Sequence, residues 1–467
     1  MIDCTFIILG ATGDLAKRKL IPALYKLVQD KKIRNFLIVG AALEQVTADE
    51  CIDRGRIFIP NVDEEIWRRL KKSFYYQQLD FNDHKGFKHL NQFIDSLEKE
   101  HSFAGNRLVY MAVPSLFFCT ITKHLGASGI VKKSDSKGLV GGHWQRIIYE
   151  KPFGTSLESA RDINACIHEY FNENQIYRID HYLTKELVGS ILLARFTNMI
   201  FEPLWNSNYI EEVQIILSET LGVEGRGIYY DQYGVLKDMV QNHMLQLMAL
   251  VAMELPEQLD AHYIRDQKAA VLKKIKCVGG VLGQYDGYLQ EKNVASNSQT
   301  PTFALLAMHV DTPRWKGVPF YIKTGKTLFH KNSSIHIKFK EVSCKLRDRC
   351  MYTSDYLSIQ IDPDSSFSLQ LNIKKPGQTY EVTPVNLHFS HNYVFGTTTP
   401  EAYEVLLEQI MMGEQSVSVR FDEIESSWHI IEQIEQLKLP VLPYKQSSQG
   451  PHEAELFAEK HKLWWRA

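Results

Sequence analysis

The first thirty residues restrict the fold more than any other stretch. Thr5–Leu9 (TFIIL) is a short apolar run that stops at Gly10, and Leu15, Leu20, Leu24 and Leu27 then recur at helical spacing up to Val28. A strand without polar alternation is buried on both faces, which a parallel sheet covered by helices provides. Between strand and helix stands Gly10-Ala11-Thr12-Gly13-Asp14-Leu15-Ala16. Glycine there lets the backbone approach an anion, and the first helical N–H groups and the helix dipole attract it. The spacing is GxxGxxA rather than GxGxxG, and a structural turn would also use two glycines. Its position directly after the first strand favours a phosphate. Lys17, Arg18 and Lys19 follow, either as a solvated helix face or with one cation turned to a ligand.

The alternation continues. Phe36–Val39, Arg107–Val113 and Ile147–Tyr149 read as strands, with helical charged stretches around Ile66–Ser73 and Phe87–Glu100. Strands separated by helices imply right-handed βαβ units. Beyond about residue 180 the texture changes. Helical patterns cover Lys185–Thr197 and Gln241–Met253, and period-two runs appear at Val213–Glu219, Pro319–Gly325, Ser334–Lys340, Tyr356–Ile361 and Phe367–Ile373. The predicted fold is an α/β Rossmann-like dinucleotide domain over residues 1–180. A larger α+β domain with a big, mostly antiparallel sheet covers 181–467 and carries substrate binding and oligomerisation. No Gly/Ser linker separates them, so a tightly packed pair with a site between the halves is expected.

Composition narrows the function. Lys+Arg 53 against Asp+Glu 55 gives a net charge of −2, so no general field attracts nucleic acid or a membrane. Seven cysteines, none with CxxC spacing, predict free thiols rather than a disulfide frame or metal site. The N-terminus lacks the basic region of a signal peptide, and no apolar run approaches about 18 residues, so a soluble cytoplasmic protein is expected.

Four segments carry chemistry. In Arg178–Glu186 (RIDHYLTKE), His181 and Lys185 stand at i, i+4 with Tyr182 between, a phosphate clamp if the stretch is helical. Glu219 follows a strand-like run. Asp238, Gln241, Asn242 and His243 open an apolar helix, where a lone histidine is as readily a core residue as a base. Lys323, Lys326 and Lys331 gather around a strand end.

These segments together resemble the glucose-6-phosphate dehydrogenase family. GATGDLAKRKL (10–20), EKPFG (150–154), RIDHYLTKE (178–186), EGRGIYYDQYGVLKDMVQNHMLQ (224–246), RWKGVPFYIKTGK (314–326) and YKQSSQGPHEA near the C-terminus look like its signatures, in order. The resemblance implies oxidation of C1 of D-glucose 6-phosphate to the lactone, with hydride passing to NADP, the first step of the oxidative pentose phosphate pathway. It implies His243 as base and Asp180 as the carboxylate that orients it. It implies His181, Tyr182 and Lys185 on the sugar phosphate. Glu219 and Asp238 fall on sugar hydroxyls, and Lys326, Lys331 and Lys151 on the substrate. Gly10, Thr12, Gly13, Asp14, Leu15 and Lys151 fall on the coenzyme, Lys151 standing between substrate and coenzyme with Lys19 near that junction, and Asp80 is a candidate near the adenine. Lys151–Pro152 is a candidate cis peptide, and no metal is implied. A homodimer or homotetramer is expected by resemblance alone.

One departure bears on the coenzyme. Relatives carry an arginine where this chain has Leu43, so a weaker NADP preference or use of NAD is expected, with Arg34 or Arg54 as replacement cations. Glu44 could reach a ribose. The segment Lys340–Tyr356 also looks short. Two other readings compete: a related two-domain oxidoreductase acting on an unphosphorylated sugar, and a catalytically dead sugar-phosphate sensor.

Overall fold

The apolar run at the N-terminus becomes β1 (Ile2–Leu9), an inner strand of a seven-stranded sheet. The others are β2 (Ile33–Ala42), β3 (Phe74–Gln78), β4 (Arg107–Met111), β5 (Leu139–Val140), β6 (His143–Tyr149) and β7 (Ile176–Arg178). The order runs β3-β2-β1-β4-β6, with β7 parallel to β6 and the two-residue β5 antiparallel to it. Ile7, Ile8, Leu9, Leu108, Val109, Ile147 and Ile148 are fully buried, as expected of strands covered on both faces. The chain leaves β1 through the glycine turn into a wide π-type turn (Ala16–Leu20) and the helix Ile21–Gln29.

This computed structural model describes residues 2–103, 105–135, 137–341, 353–378, 381–396 and 401–463, so the short segment noted around 340–356, with Cys344 and Cys350, lies largely outside the described residues. One unit comprises Met1–Thr184, Asp260–His262 and Pro400–Phe421; the other comprises Lys185–Leu259, Tyr263–Thr399 and Asp422–Ala467. The first therefore takes in a late segment that chain order assigns to the second half. Within it the helix Ala402–Met412 packs on Ile21–Gln29, and Leu406, Leu407 and Ile410 enter the core of the first sheet. Nothing local marks that destination, because an apolar helical stripe fits any apolar face.

Two of the cysteines expected as free thiols are joined. Cys119, on the helix Phe118–Ser128, is disulfide-bonded to Cys166 on the helix Leu157–Tyr170, with the Cα atoms 5.9 Å apart. The two helices pack side by side, and 47 residues separate the cysteines, so sequence spacing carries no trace of the pairing. Cys4, Cys51 and Cys277 are free, as expected.

The second unit holds β8 (Ile210–Ser218), β9 (Ile275–Tyr285), β10 (Phe303–Val310), β11 (Pro319–Gly325), β12 (Asn332–Phe339), β13 (Tyr356–Asp362), β14 (Ser366–Lys374), β15 (Val382–Ser390) and β16 (Val441–Tyr444). They form one sheet in the order β15-β14-β13-β12-β8-β11-β10-β9-β16, antiparallel except at β8–β11 and β9–β16. The helix Leu245–Ala252 is buried at every position, which explains its unbroken apolar sequence. The Trp205 and Trp315 indoles donate to the backbone carbonyls of Val251 and Ala252 at its end.

In the air-oxidised protein, peptide mapping without reductant recovers a cross-linked pair containing Cys119 and Cys166, and reduction lowers unfolding free energy by about 2–4 kcal/mol. Two unlinked peptides would refute it. Glu404 is buried beside Asp30, and burial followed by the Asp30 charge raises its carboxyl to about 7. A folded-state value above the unfolded one means stabilisation that is complete below about 4.5 and lost as pH rises through about 7. Glu404→Gln should therefore gain on the wild type between pH 5 and pH 8, by about 1–3 kcal/mol in chemical denaturation. A constant difference across that range contradicts the assignment.

Candidate active site

In the first unit the glycine turn has the form a dinucleotide requires. Gly10 has φ +91°, and a Cβ there would lie 2.2 Å from the Ala112 carbonyl oxygen, so only glycine lets β1 turn this tightly against the segment after β4. Gly13 donates to the Gly10 carbonyl (2.9 Å), and helical structure starts at Asp14. The first helical N–H groups thus stand at the carboxyl ends of the parallel strands, where a pyrophosphate fits. Asp14 pairs with Lys17 (3.0 Å) and Arg18 (2.9 Å), which hold its carboxyl below the usual range. Lys19 pairs with Glu401 (3.4 Å).

At the end of β2, Leu43 is 66% exposed and Glu44 is clamped by Arg54. Asp80 shapes a turn, accepting from the Asn82 backbone N–H (2.9 Å).

Lys151 follows β6, and the Lys151–Pro152 bond is cis, as anticipated. Its neighbour Glu150 is partly buried and accepts from the hydroxyls of Tyr110 (2.5 Å) and Tyr403 (3.2 Å). Burial raises the Glu150 carboxyl and the two hydroxyls pull it back. Arg178 stacks over Phe153 of the same segment (5.1 Å) while pairing with Glu173 (2.7 Å). Tyr110, Tyr403 and Arg178 thus anchor EKPFG. Only Arg178 stood inside a recognised motif.

Residues 181–184 form a turn rather than a helix, and Lys185 stands just ahead of the helix Glu186–Thr197. The condition placed on the i, i+4 clamp is therefore not met. The cause is Asp180, whose Oδ1 accepts the Tyr182 N–H (3.0 Å) while its carbonyl accepts the Leu183 N–H (3.0 Å). Asp180 is 2% exposed, and the His181 and Tyr182 rings lie 5.1 Å apart.

In the second unit, strand register assembles the polar groups. Gly325 of β11 and Asn332 of β12 both pair with Ser218 of β8, and Ser333 pairs with Asp362 of β13. The residues at those ends, Lys326, Glu219, Lys331 and Asp362, therefore form a row across four adjacent strands, about 14 Å long. Lys326 Nζ meets Glu219 Oε2 at 2.6 Å and sits 5.1 Å over the Tyr230 ring. Lys331 and Lys185 converge on the same Asp362 oxygen, at 2.8 and 3.7 Å. Asp362, a carboxylate beside two lysines, is the residue the motifs missed; its Asp-Pro position at a strand end was its only signal. Lys323 lies apart from this row, bonded to Gln449 (3.1 Å), and burial lowers its amine to about 8.

Asp238 and His243 both lie on a π-type stretch, Leu236–Met244, packed on β11. On an α-helix residues five apart stand about 140° round the axis. The wider winding, bonding i to i+5, brings them toward one face. His243 is 1% exposed, and Asp238 accepts from Tyr229 Oη (3.2 Å).

Known proteins agree with this architecture. Residues 7–189 match the family model for the NAD binding domain of glucose-6-phosphate dehydrogenase, and residues 192–466 match that for its C-terminal domain. Glucose-6-phosphate 1-dehydrogenase of Chlamydia pneumoniae is 38% identical over 99% of this chain and 96% of its own. That of Bacillus subtilis is 37% identical over 98% and 97%. A solved glucose-6-phosphate dehydrogenase in complex with its substrate glucose-6-phosphate superposes with a TM-score of 0.91 at 30% identity, covering 100% of this chain and 99% of that one. Levoglucosan dehydrogenase in complex with NADH, at 11% identity and TM-score 0.53, shares the fold. The chain belongs to the glucose-6-phosphate dehydrogenase family.

Proposed function

We propose that this chain oxidises D-glucose 6-phosphate at C1 to 6-phospho-D-glucono-1,5-lactone, with a nicotinamide dinucleotide as acceptor, at the entry to the oxidative pentose phosphate pathway. The observation that carries the substrate is the row of Lys326, Glu219, Lys331 and Asp362, extended by Lys185. Lysines beside carboxylates along one strand edge suit a polyhydroxylated ring that ends in a phosphate. A sugar without phosphate would leave Lys185 and Lys331 without their purpose.

Each group then has a task. Lys185 and Lys331, with His181 and Tyr182, hold the phosphate. Glu219 and Asp238 accept hydrogen bonds from ring hydroxyls, and Lys326, locked to Glu219, fixes that carboxylate. His243 is the base: its imidazole takes the C1 hydroxyl proton as the C1–H bond gives up its electron pair. Asp180 supplies the negative charge that steadies the resulting imidazolium. Lys151, anchored through Glu150, serves both substrate and coenzyme. When bound, the nicotinamide ring accepts the hydride. The family norm is NADP, and Leu43 supports use of NAD as well.

We further assign the chain to the cytoplasm as a homodimer or homotetramer. Among the described residues no helix is long and apolar enough to cross a membrane. Exposed Leu387 and Phe389 on the edge strand β15 support self-association.

Replacing His243 tests the base. His243→Asn should reduce kcat by about 10²–10⁴-fold, the usual range for general base catalysis, with glucose 6-phosphate affinity within a few-fold by calorimetry. Turnover near the wild-type rate would remove His243 from this role.

A further inference from the structure

Leu43 supplies no charge at the end of β2, yet the surroundings there are built in detail. The backbone of residues 42–44 is tied to β3: the Tyr76 hydroxyl donates to the Glu44 carbonyl, and Gln78 Nε2 donates to that of Leu43 (2.9 Å). The Glu44 side chain is fixed twice over. Both terminal nitrogens of Arg54 donate to its two oxygens, at 2.8 and 2.6 Å, and the Thr12 hydroxyl of the glycine turn bonds it as well. Arg54 first, then Thr12, hold this carboxyl below its usual range, so it is ionised. Arg54 itself rides the helix Ala48–Arg56, whose start is closed by a reciprocal Thr47–Glu50 capping box. The side chains of Arg54 and Glu44 remain 36% and 47% exposed, so the paired carboxylate stays open to a ligand.

We propose that the Glu44–Arg54 pair reads the adenosine ribose and selects against the 2′-phosphate, so that the chain binds NAD at least as tightly as NADP. This rests on the coenzyme-site reading of the glycine turn. In a doubly wound sheet, an acid at the end of the second strand accepts the 2′-hydroxyl of NAD, whereas a free arginine accommodates the phosphate. Here both groups are present, but the arginine is spent on the acid. An ionised carboxylate only accepts hydrogen bonds, and its outer lone pairs suit a ribose hydroxyl. A 2′-phosphate would meet that carboxylate with no uncommitted guanidinium to offset it. Arg34, the other cation considered, lies near the start of β2, roughly 26 Å along the strand from Ala42. Its carbonyl accepts a bond from Arg69, consistent with a structural position away from the turn.

The pair makes an unusual demand: its two members must move NADP affinity in opposite directions. Calorimetric titration of the intact protein with NAD and with NADP, without sugar phosphate, measures this independently of turnover. The wild type should show an NAD dissociation constant equal to or below that of NADP. Glu44→Gln releases Arg54 and should tighten NADP by about tenfold or more while weakening NAD. Arg54→Ala leaves Glu44 uncompensated and should weaken NADP further while retaining NAD. A merely structural pair would shift both coenzymes the same way in both variants. Should Glu44→Gln fail to fold by thermal melt, Leu43→Arg replaces it, with the same tightening of NADP expected from a new cation. The proposal is overturned if the wild type prefers NADP by tenfold, or if the variants move NADP affinity in one direction. Absence of binding by either dinucleotide to the folded wild type would instead overturn the coenzyme-site reading beneath it.

Discussion

The alignment of four strand ends in the second unit is the constraint on which the proposed chemistry depends. Glu219, Lys326, Lys331 and Asp362 are scattered over more than 140 positions, and only the pairing of Ser218 with both Gly325 and Asn332, and of Ser333 with Asp362, puts them in one row. A slip of one residue in any of these ladders would turn a side chain to the opposite face. Both strands are buried on both faces, and a slip would put Gln214 and His336 where the fully buried Val213, Ile215, Ile335 and Ile337 now pack. Hydrophobic register in the sheet thus sets polar geometry at its edge.

The first unit solves a different problem, that of holding short functional segments still. The EKPFG turn is fixed by two tyrosine hydroxyls on Glu150 and by Arg178 over Phe153. One of those tyrosines, Tyr403, arrives on the late segment that includes the helix Ala402–Met412, so a few residues far along the chain secure a turn near residue 150. The end of β2 is treated alike, with β3 side chains on its backbone and Arg54 on Glu44. In both places a carboxylate collects donors from elements distant in sequence. At Glu150 the energetic reason is that a carboxyl partly withdrawn from water needs partners whose geometry is already set, whereas Glu44 stays exposed.

Much of this was legible from the amino acids because the signals are local. A wholly apolar strand before a glycine turn, period-two runs such as Pro319–Gly325, and motif segments in a fixed order need no tertiary information. Pro319–Gly325 is β11 to the residue. What escaped is what depends on contacts between distant positions. The Cys119–Cys166 bond arises from two helices lying side by side, and Asp362 gains meaning only when Lys185 and Lys331 reach it. The stretch after Arg178 misled for a local reason: its spacing suited a helix, but Asp180 satisfies two backbone N–H groups in a turn. Leu43 pointed to altered coenzyme choice, yet the clamp on Glu44 required the helix Ala48–Arg56 in place.

The proposed chemistry rests on what the lysine-flanked row of strand ends recognises. The most direct measurement is kcat/KM for glucose 6-phosphate against that for glucose, with coenzyme saturating and reduction followed at 340 nm. Loss of the phosphate contacts proposed for Lys185 and Lys331 should cost at least about 4 kcal/mol of transition-state binding, a preference of roughly a thousandfold or more for the phosphorylated sugar. Equal efficiency on the two sugars would contradict it.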